Sequence, residues 1–255
     1  MRSRSFDDLL DEEEFLRFYD AAYGHLEGRI RDDAVVSVCW LVGDFLNYTT
    51  VPVFKPHRIW DEIAKHAGSY CTWMGVNPLN PDTVQKRGTK DDVLLISSLV
   101  CEWDTEDGYH KPRKKKGETE PERLITRAEA REHIDTLSQA VEFTMVNNSG
   151  GGYHGWVTID DDLAPNSPLV ERWKHHTSTL GVDESVSGDI SRIMRPVGVL
   201  NHKFRTALQR IGNSWGDGTR PCEGRDEEGE PTWNGARVNS TPMKTTIIDH
   251  LSQGV

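Results

Sequence analysis

Two acids close a hydrophobic run in Leu99-Val100-Cys101-Glu102-Trp103-Asp104. On an extended strand, residues two apart point to one face and lie about 7 Å apart. Glu102 and Asp104 would thus stand side by side as oxygen donors for hard divalent ions such as Mg²⁺ or Mn²⁺. Downstream, Ser149-Gly150-Gly151-Gly152-Tyr153-His154 offers a hydroxyl, a glycine-rich turn whose N–H groups can face an anion, and an imidazole. Val182-Asp183 supplies a third carboxylate. Asp189 is its rival, although Gly188-Asp189 also suits a helix N-cap. The stretch Arg192 to Lys203 places Arg192, Arg195, Asn201, His202 and Lys203 around a Pro196-Val197-Gly198 turn. Arginine grips phosphate through two parallel hydrogen bonds and lysine acts as a point charge. Carboxylates for metal beside cations and imidazole for an anion suit phosphoryl or nucleotidyl transfer.

Each segment also has a plain structural explanation. Acids at i and i+2 can be a solvated edge-strand pair. A Gly-rich turn followed by histidine can be an ordinary hairpin with a satisfied imidazole. An Arg-rich helix is often a solvated face, and Arg87 and Lys90 can belong to a polar loop. The ordered combination is what favours chemistry.

The elements that must position these residues follow from periodicity. Residues 6–27 carry Leu9, Leu10, Phe15, Leu16, Tyr19, Ala22 and Tyr23 at helical spacing. Residues 34–42 read as a buried strand, 57–66 as a short helix, 69–76 as a strand ended by Asn77-Pro78, and 94–104 as the strand carrying the acids. Residues 107–122 read as a polar loop containing the basic run Lys111 to Lys116. Residues 126–141 read as a helix opened by a capping box of Thr126 and Glu129. Strands over 142–147 and 153–159 flank the glycine turn. A helix is expected over 167–180, a short strand over 182–185 and a short helix over 188–194. From about residue 212 the chain is polar and rich in Gly and Pro, and 212–255 reads as a linker or tail. The alternation argues for an α/β or α+β core within residues 1–211, with a helical extension over about 1–30.

Composition narrows the classes. The 255 residues and 36% hydrophobic content suffice for one good-sized domain. No run approaches a membrane span, the first residues have no signal-peptide core, and a cytoplasmic protein is expected. Cys39, Cys71, Cys101 and Cys222 show no CxxC spacing, so zinc is not expected; Cys39, Cys71 and Cys101 lie in strand-like apolar runs and read as buried free thiols. The net charge of −11 counts against a protein that coats nucleic acid electrostatically. The basic run at 111–116 still permits a local groove, with salt-sensitive binding.

Taken in order, these segments resemble the catalytic domain of the archaeo-eukaryotic primase superfamily, most closely the primase-polymerase domains of phage and plasmid replication proteins. The acid-x-acid pair matches Glu102 and Asp104, the Ser…His segment matches Ser149 and His154, and the hydrophobic-Asp element matches Val182-Asp183. The Arg-rich, Pro-Gly, Asn-x-Lys segment matches Arg192 to Lys203. The likeness covers roughly residues 34–205. Glu102 stands where Asp is more usual, and Pro196 is shifted from its usual place beside Gly.

The resemblance implies an α/β N-terminal part packed on an RRM-like sheet that carries the acids. It implies two divalent ions, Mg²⁺ or Mn²⁺, held by Glu102, Asp104 and Asp183. It implies triphosphate contacts from Ser149, His154, Asn201 and Lys203, with Arg192 or Arg195 in support. Expected partners are a single-stranded DNA template, nucleoside triphosphates and, in replication, a helicase. No GxxxxGK[ST] segment is present, so no motor is expected, and the chain reads as a stand-alone enzyme or the catalytic part of a longer protein. The implied activity is template-dependent nucleotidyl transfer by a primase, a DNA polymerase or both. Two other classes stay open: a replication-initiator module that binds DNA with little catalysis, and a metal-dependent nuclease.

Overall fold

A computed structural model describes residues 10–83, 86–106, 124–180, 182 and 184–202, together with short strands between 224 and 247. Asp183, Lys203, the basic run Lys111 to Lys116 and Cys222 lie outside the described residues.

The acids Asp11 to Glu14 open the first helix. Asp11 caps α1 (Glu12–Tyr23) by accepting from the Glu14 N–H at 3.0 Å. Glu12, Glu13 and Glu14 fill the first turn, where carboxylates offset the positive end of the helix dipole. A 3₁₀ turn (Gly24–Leu26) ends the segment. Two strands follow as a hairpin, β1 (Val35–Val42) and β2 (Phe45–Pro52). The Gly43-Asp44 turn joins them, with Gly43 at φ +60°, a backbone shape that suits two-residue hairpin loops. Next come α2 (Pro56–Ala67), β3 (Thr72–Gly75) and the acid strand β4 (Ile96–Asp104). Helix α3 (Arg127–Ser138) opens with both hydrogen bonds of the expected Thr126–Glu129 capping box.

Strands β5 (Met145–Asn148) and β6 (Gly152–Leu163) form the second hairpin. Then come α4 (Pro168–Ser178), the short α5 (Glu184–Ser187), β7 (Ile193–Met194) and β8 (Leu200–Asn201). Toward the C-terminus lie β9 (Gly224–Arg225), β10 (Pro231–Trp233), β11 (Ala236–Arg237), β12 (Met243–Lys244) and β13 (Thr246–Ile247).

The class is α+β. One antiparallel sheet has the order β2-β1-β3-β7 and the other β13-β5-β6-β4. Between them lies an apolar core drawn from α1, α2 and both sheets, including Phe15, Phe18, Val36, Val38, Ile59, Met74, Val100 and Trp156. The Phe18 and Trp156 rings meet edge-on at 5.3 Å, joining α1 to β6. The far face of the second sheet packs on α3 and α4 through Leu99, Cys101, Trp103, Ile134, Leu137 and Trp173. Period-two alternation along β4 thus sends Cys101 and Trp103 to the helices and Val100, Glu102 and Asp104 toward the first sheet.

One buried residue clamps three segments to set this arrangement. Asn77 Oδ1 accepts from the Ser97 N–H at 2.8 Å and the Ser98 N–H at 3.0 Å, while its Nδ2 donates to the Ile190 carbonyl at 2.9 Å. The exit of β3, the start of β4 and the approach to β7 are held together by one amide. Such full use of both polar ends makes a buried Asn stabilising rather than costly.

Several elements differ from the periodicity. Strand β2 is not legible because, at the sheet edge, its burial follows no clean alternation. The segment expected as a strand over 182–185 is helical from Glu184, since Val182 and Val186, four apart, each enter a core. The segment 188–194 is a turn followed by a strand. Asp189 Oδ1 accepts from the Ser191 N–H at 3.0 Å and its hydroxyl at 2.7 Å, so the acid shapes a turn instead of capping a helix. Residues beyond 212 contain strands: β9, β10 and β11 pair together, β12 pairs with β8, and β13 with β5. No described helix is long and apolar enough to cross a membrane.

Candidate active site

Glu102 and His154 are direct cross-strand partners between β4 and β6. Their side chains share a face, and His154 Nε2 stands 3.3 Å from Glu102 Oε1. That is an ion-pair distance without hydrogen-bond alignment; both imidazole nitrogens are buried with no hydrogen-bond partner among the described residues. The other Glu102 oxygen, Oε2, lies 3.6 Å from Arg192 Nη2. Arg192 immediately precedes β7, and its carbonyl accepts from the Val76 N–H at 2.9 Å. The first sheet therefore delivers a guanidinium to an acid on the second.

Asp104 shares the Glu102 face, two residues on, and pairs with Gly152. Glycine is required there. At φ +152°, a Cβ on Gly152 would fall 2.0 Å from the Trp103 carbonyl oxygen. The β5–β6 turn can therefore lie tightly across the end of the acid strand, and Thr105 binds it from the other side through N–H and Oγ1 bonds to the Gly151 carbonyl.

The turn's amides are spent internally, which corrects the expectation that they face an anion. Ser149 N–H donates to Gly152 O at 3.0 Å, Gly150 N–H to Asn148 Oδ1 at 2.9 Å, and Gly151 N–H to Ser149 Oγ at 3.4 Å. Arg195 Nη1 and Asn201 Nδ2 both donate to the Ser149 carbonyl, at 3.2 and 3.0 Å. Ser149, Arg195 and Asn201 are thereby brought together as a clasp on the turn that carries His154. His202 is drawn away, its Nε2 lying 2.6 Å from the Ala67 carbonyl at the end of α2.

Asn147, beside His154 on β5, was not foreseen. Its Oδ1 accepts from the Trp156 indole at 3.1 Å, while its Nδ2 is buried without a partner among the described residues. The signal was available: alternation along β5 and β6 puts Asn147, His154 and Trp156 on one face. Buried polar atoms are normally paired. Here His154 Nδ1 and Nε2, Asn147 Nδ2, Arg192 Nε and Arg195 Nε are exceptions on or beside one sheet face. Behind it, burial favours the neutral Tyr153 phenol, but hydrogen bonds from Arg131 and Arg127 outweigh this and bring its pKa below the usual range.

The donor chemistry fits hard divalent ions. Two adjacent carboxylates suit Mg²⁺ or Mn²⁺, which use few protein ligands and fill their shells with water and substrate oxygens. Among the described residues no group of three His, Cys, Asp or Glu is close enough to hold a metal.

No family model and no curated protein matches the chain. Two solved structures share a loose likeness. One is the AEP domain of the primase-polymerase of cyanophage S-2L, 13% identical, with 76% of this chain and 86% of that chain covered and a TM-score of 0.43. The other is the polymerase domain of Mycobacterium tuberculosis Ligase D in complex with DNA, 13% identical, with 79% and 82% covered and a TM-score of 0.38. Both are polymerase-type domains by name. With both TM-scores under 0.5, the case for a function rests on this chain's own side chains.

Proposed function

We propose that the chain is a template-dependent nucleotidyltransferase, a DNA primase, a DNA polymerase or both, of the archaeo-eukaryotic primase type. One observation carries the reading: Glu102 and Asp104 share a strand face with His154, and Arg192 reaches the same acid from the other sheet. Metal-ligating oxygens and phosphate-seeking nitrogens thus converge across the two sheets.

In this reading Glu102 and Asp104, with Asp183 as the third carboxylate, would hold Mg²⁺ or Mn²⁺. Bound there, such ions activate a hydroxyl and neutralise triphosphate charge. The reaction joins the 3′-oxygen of a strand to the α-phosphorus of a nucleoside triphosphate; the α–β bridging bond breaks and pyrophosphate leaves. Arg192 offsets the triphosphate's charge and His154 orients it, with Lys203 as a further cation. Arg195 and Asn201 act on the Ser149 carbonyl, fixing the turn from which His154 projects.

The test is incubation of the chain with single-stranded template, labelled nucleotides and Mn²⁺, with and without a primer. Products without a primer establish a primase, and extension only with one establishes a polymerase. No product with either overturns the reading.

One observation favours a second reading, a DNA-binding module with little catalysis. Glu102 already stands against both His154 and Arg192, and the guanidinium offsets the acid's charge without a metal. DNA binding without incorporation at any divalent ion would favour this module.

A further inference from the structure

One face of the first sheet runs from the candidate site to the sheet's free edge. Register makes Tyr48 of β2, Cys39 of β1 and Trp73 of β3 successive neighbours across three strands. Past β7, the Arg195 guanidinium lies 5.7 Å from the centre of the Trp73 ring. Arg195 also donates to the Ser149 carbonyl, so the row ends at the turn that carries His154.

The row is built for a flat ligand. Tyr48 is 41% exposed and Trp73 half-buried, whereas Cys39 between them is fully covered. Strands lie about 4.8 Å apart, so Tyr48 and Trp73 are spaced by roughly 10 Å. Leu41 and Leu46 pair next to them on the same face, extending the apolar surface. Cations flank it. Arg195 is only 7% exposed, with its Nε unpartnered among the described residues. Arg87, half-buried, carries a positive charge whose field reaches the Cys39 thiol.

We propose that Tyr48 and Trp73 form a stacking platform for unpaired bases of a single-stranded nucleic acid, with the buried Arg195 fixing the Trp73 ring and, together with Arg87, lending positive potential to the row. Two features select this occupant: rings combined with cations complement flat bases on an anionic chain, and the row is continuous with the candidate active site. Naming the bound strand as the template rests on the nucleotidyl-transfer reading; the platform itself does not.

The test is fluorescence anisotropy of the full chain, without nucleotide or metal, on a labelled oligo-dT and on an abasic oligonucleotide of equal length. The abasic strand keeps the phosphates and lacks the bases. Tyr48→Ala is expected to weaken oligo-dT binding about 5- to 100-fold while leaving abasic binding unchanged, and Tyr48→Phe to bind like the wild type. Trp73→Phe, which keeps a ring, should retain most of the binding. Equal loss on both strands, loss on neither, or no binding by the wild type would each overturn the platform. Base-dependent binding alongside absent polymerisation would sink the transfer reading and leave the platform standing.

Discussion

Glu102 of β4 and Arg192 at the head of β7 belong to different sheets, yet Oε2 and Nη2 stand 3.6 Å apart. The half-buried pair joins the two sheets where acids and cations converge. Ion pairs of this exposure contribute about 0–1 kcal/mol, so it does little to hold the fold. Arg192→Gln should therefore change stability by less than about 1 kcal/mol in chemical denaturation. It should cut nucleotide incorporation by about 100-fold or more, the loss that accompanies removal of a charge-stabilising donor. A large stability loss with activity retained would make the contact structural.

His154 should separate stability from function. Burying two ring nitrogens that have no hydrogen-bond partner among the described residues is unfavourable, and an apolar side chain of similar size removes that cost. His154→Leu is expected to leave stability within about 1 kcal/mol of wild type, or to raise it, while incorporation drops sharply. Denaturation and single-turnover assays on one preparation decide the matter.

Gly152→Ala should do the reverse. Its new methyl would collide with the Trp103 carbonyl, and the φ of +152° is unfavourable to any other residue. The β4–β6 ladder would have to part beside Asp104, with an expected loss of about 3 kcal/mol. Urea denaturation measures it, and an unchanged midpoint would contradict the turn geometry.

Burial pushes the Cys39 thiol up to about 12, with Arg87 and a Ser37 hydrogen bond opposing only in part. Burial likewise raises Cys101 well above the ordinary thiol range. For groups so raised, the stabilising contribution is full below the unfolded pKa of about 8.5 and is lost as pH rises through the folded values. At pH 8 iodoacetamide should label neither residue in the native chain and both in denaturant, as peptide mass spectrometry would show. Rapid native labelling would contradict their burial.

The local parts of the fold were legible in the sequence. The capping box at Thr126, the acid strand and the glycine hairpin each have short-range signatures, and the α+β class followed from their alternation. What escaped was long-range or marginal. Strand β2 gains its partner only through the hairpin, and its polar edge residues hide the period. The Asn77 clasp joins segments 20 and 113 residues away, which no local pattern announces. The same holds for the site. Glu102, Asp104 and His154 fall on one face by simple alternation, but the arrival of Arg192 depends on how β7 joins β3. Arg195 and Asn201 read as phosphate ligands from residue type alone; their bonds to the Ser149 carbonyl arise from tertiary packing.

Single-turnover nucleotide incorporation by wild type, Glu102→Gln and Asp104→Asn, on primed and unprimed single-stranded template with Mn²⁺, tests the central claim most directly. The acids sit at the end of a paired strand and are not core, so both variants should fold with near-native circular dichroism and melting. The expected result is incorporation by wild type and a loss of at least about 100-fold in each variant. Wild-type incorporation undiminished in both folded variants would show that Glu102 and Asp104 are not the reacting centre.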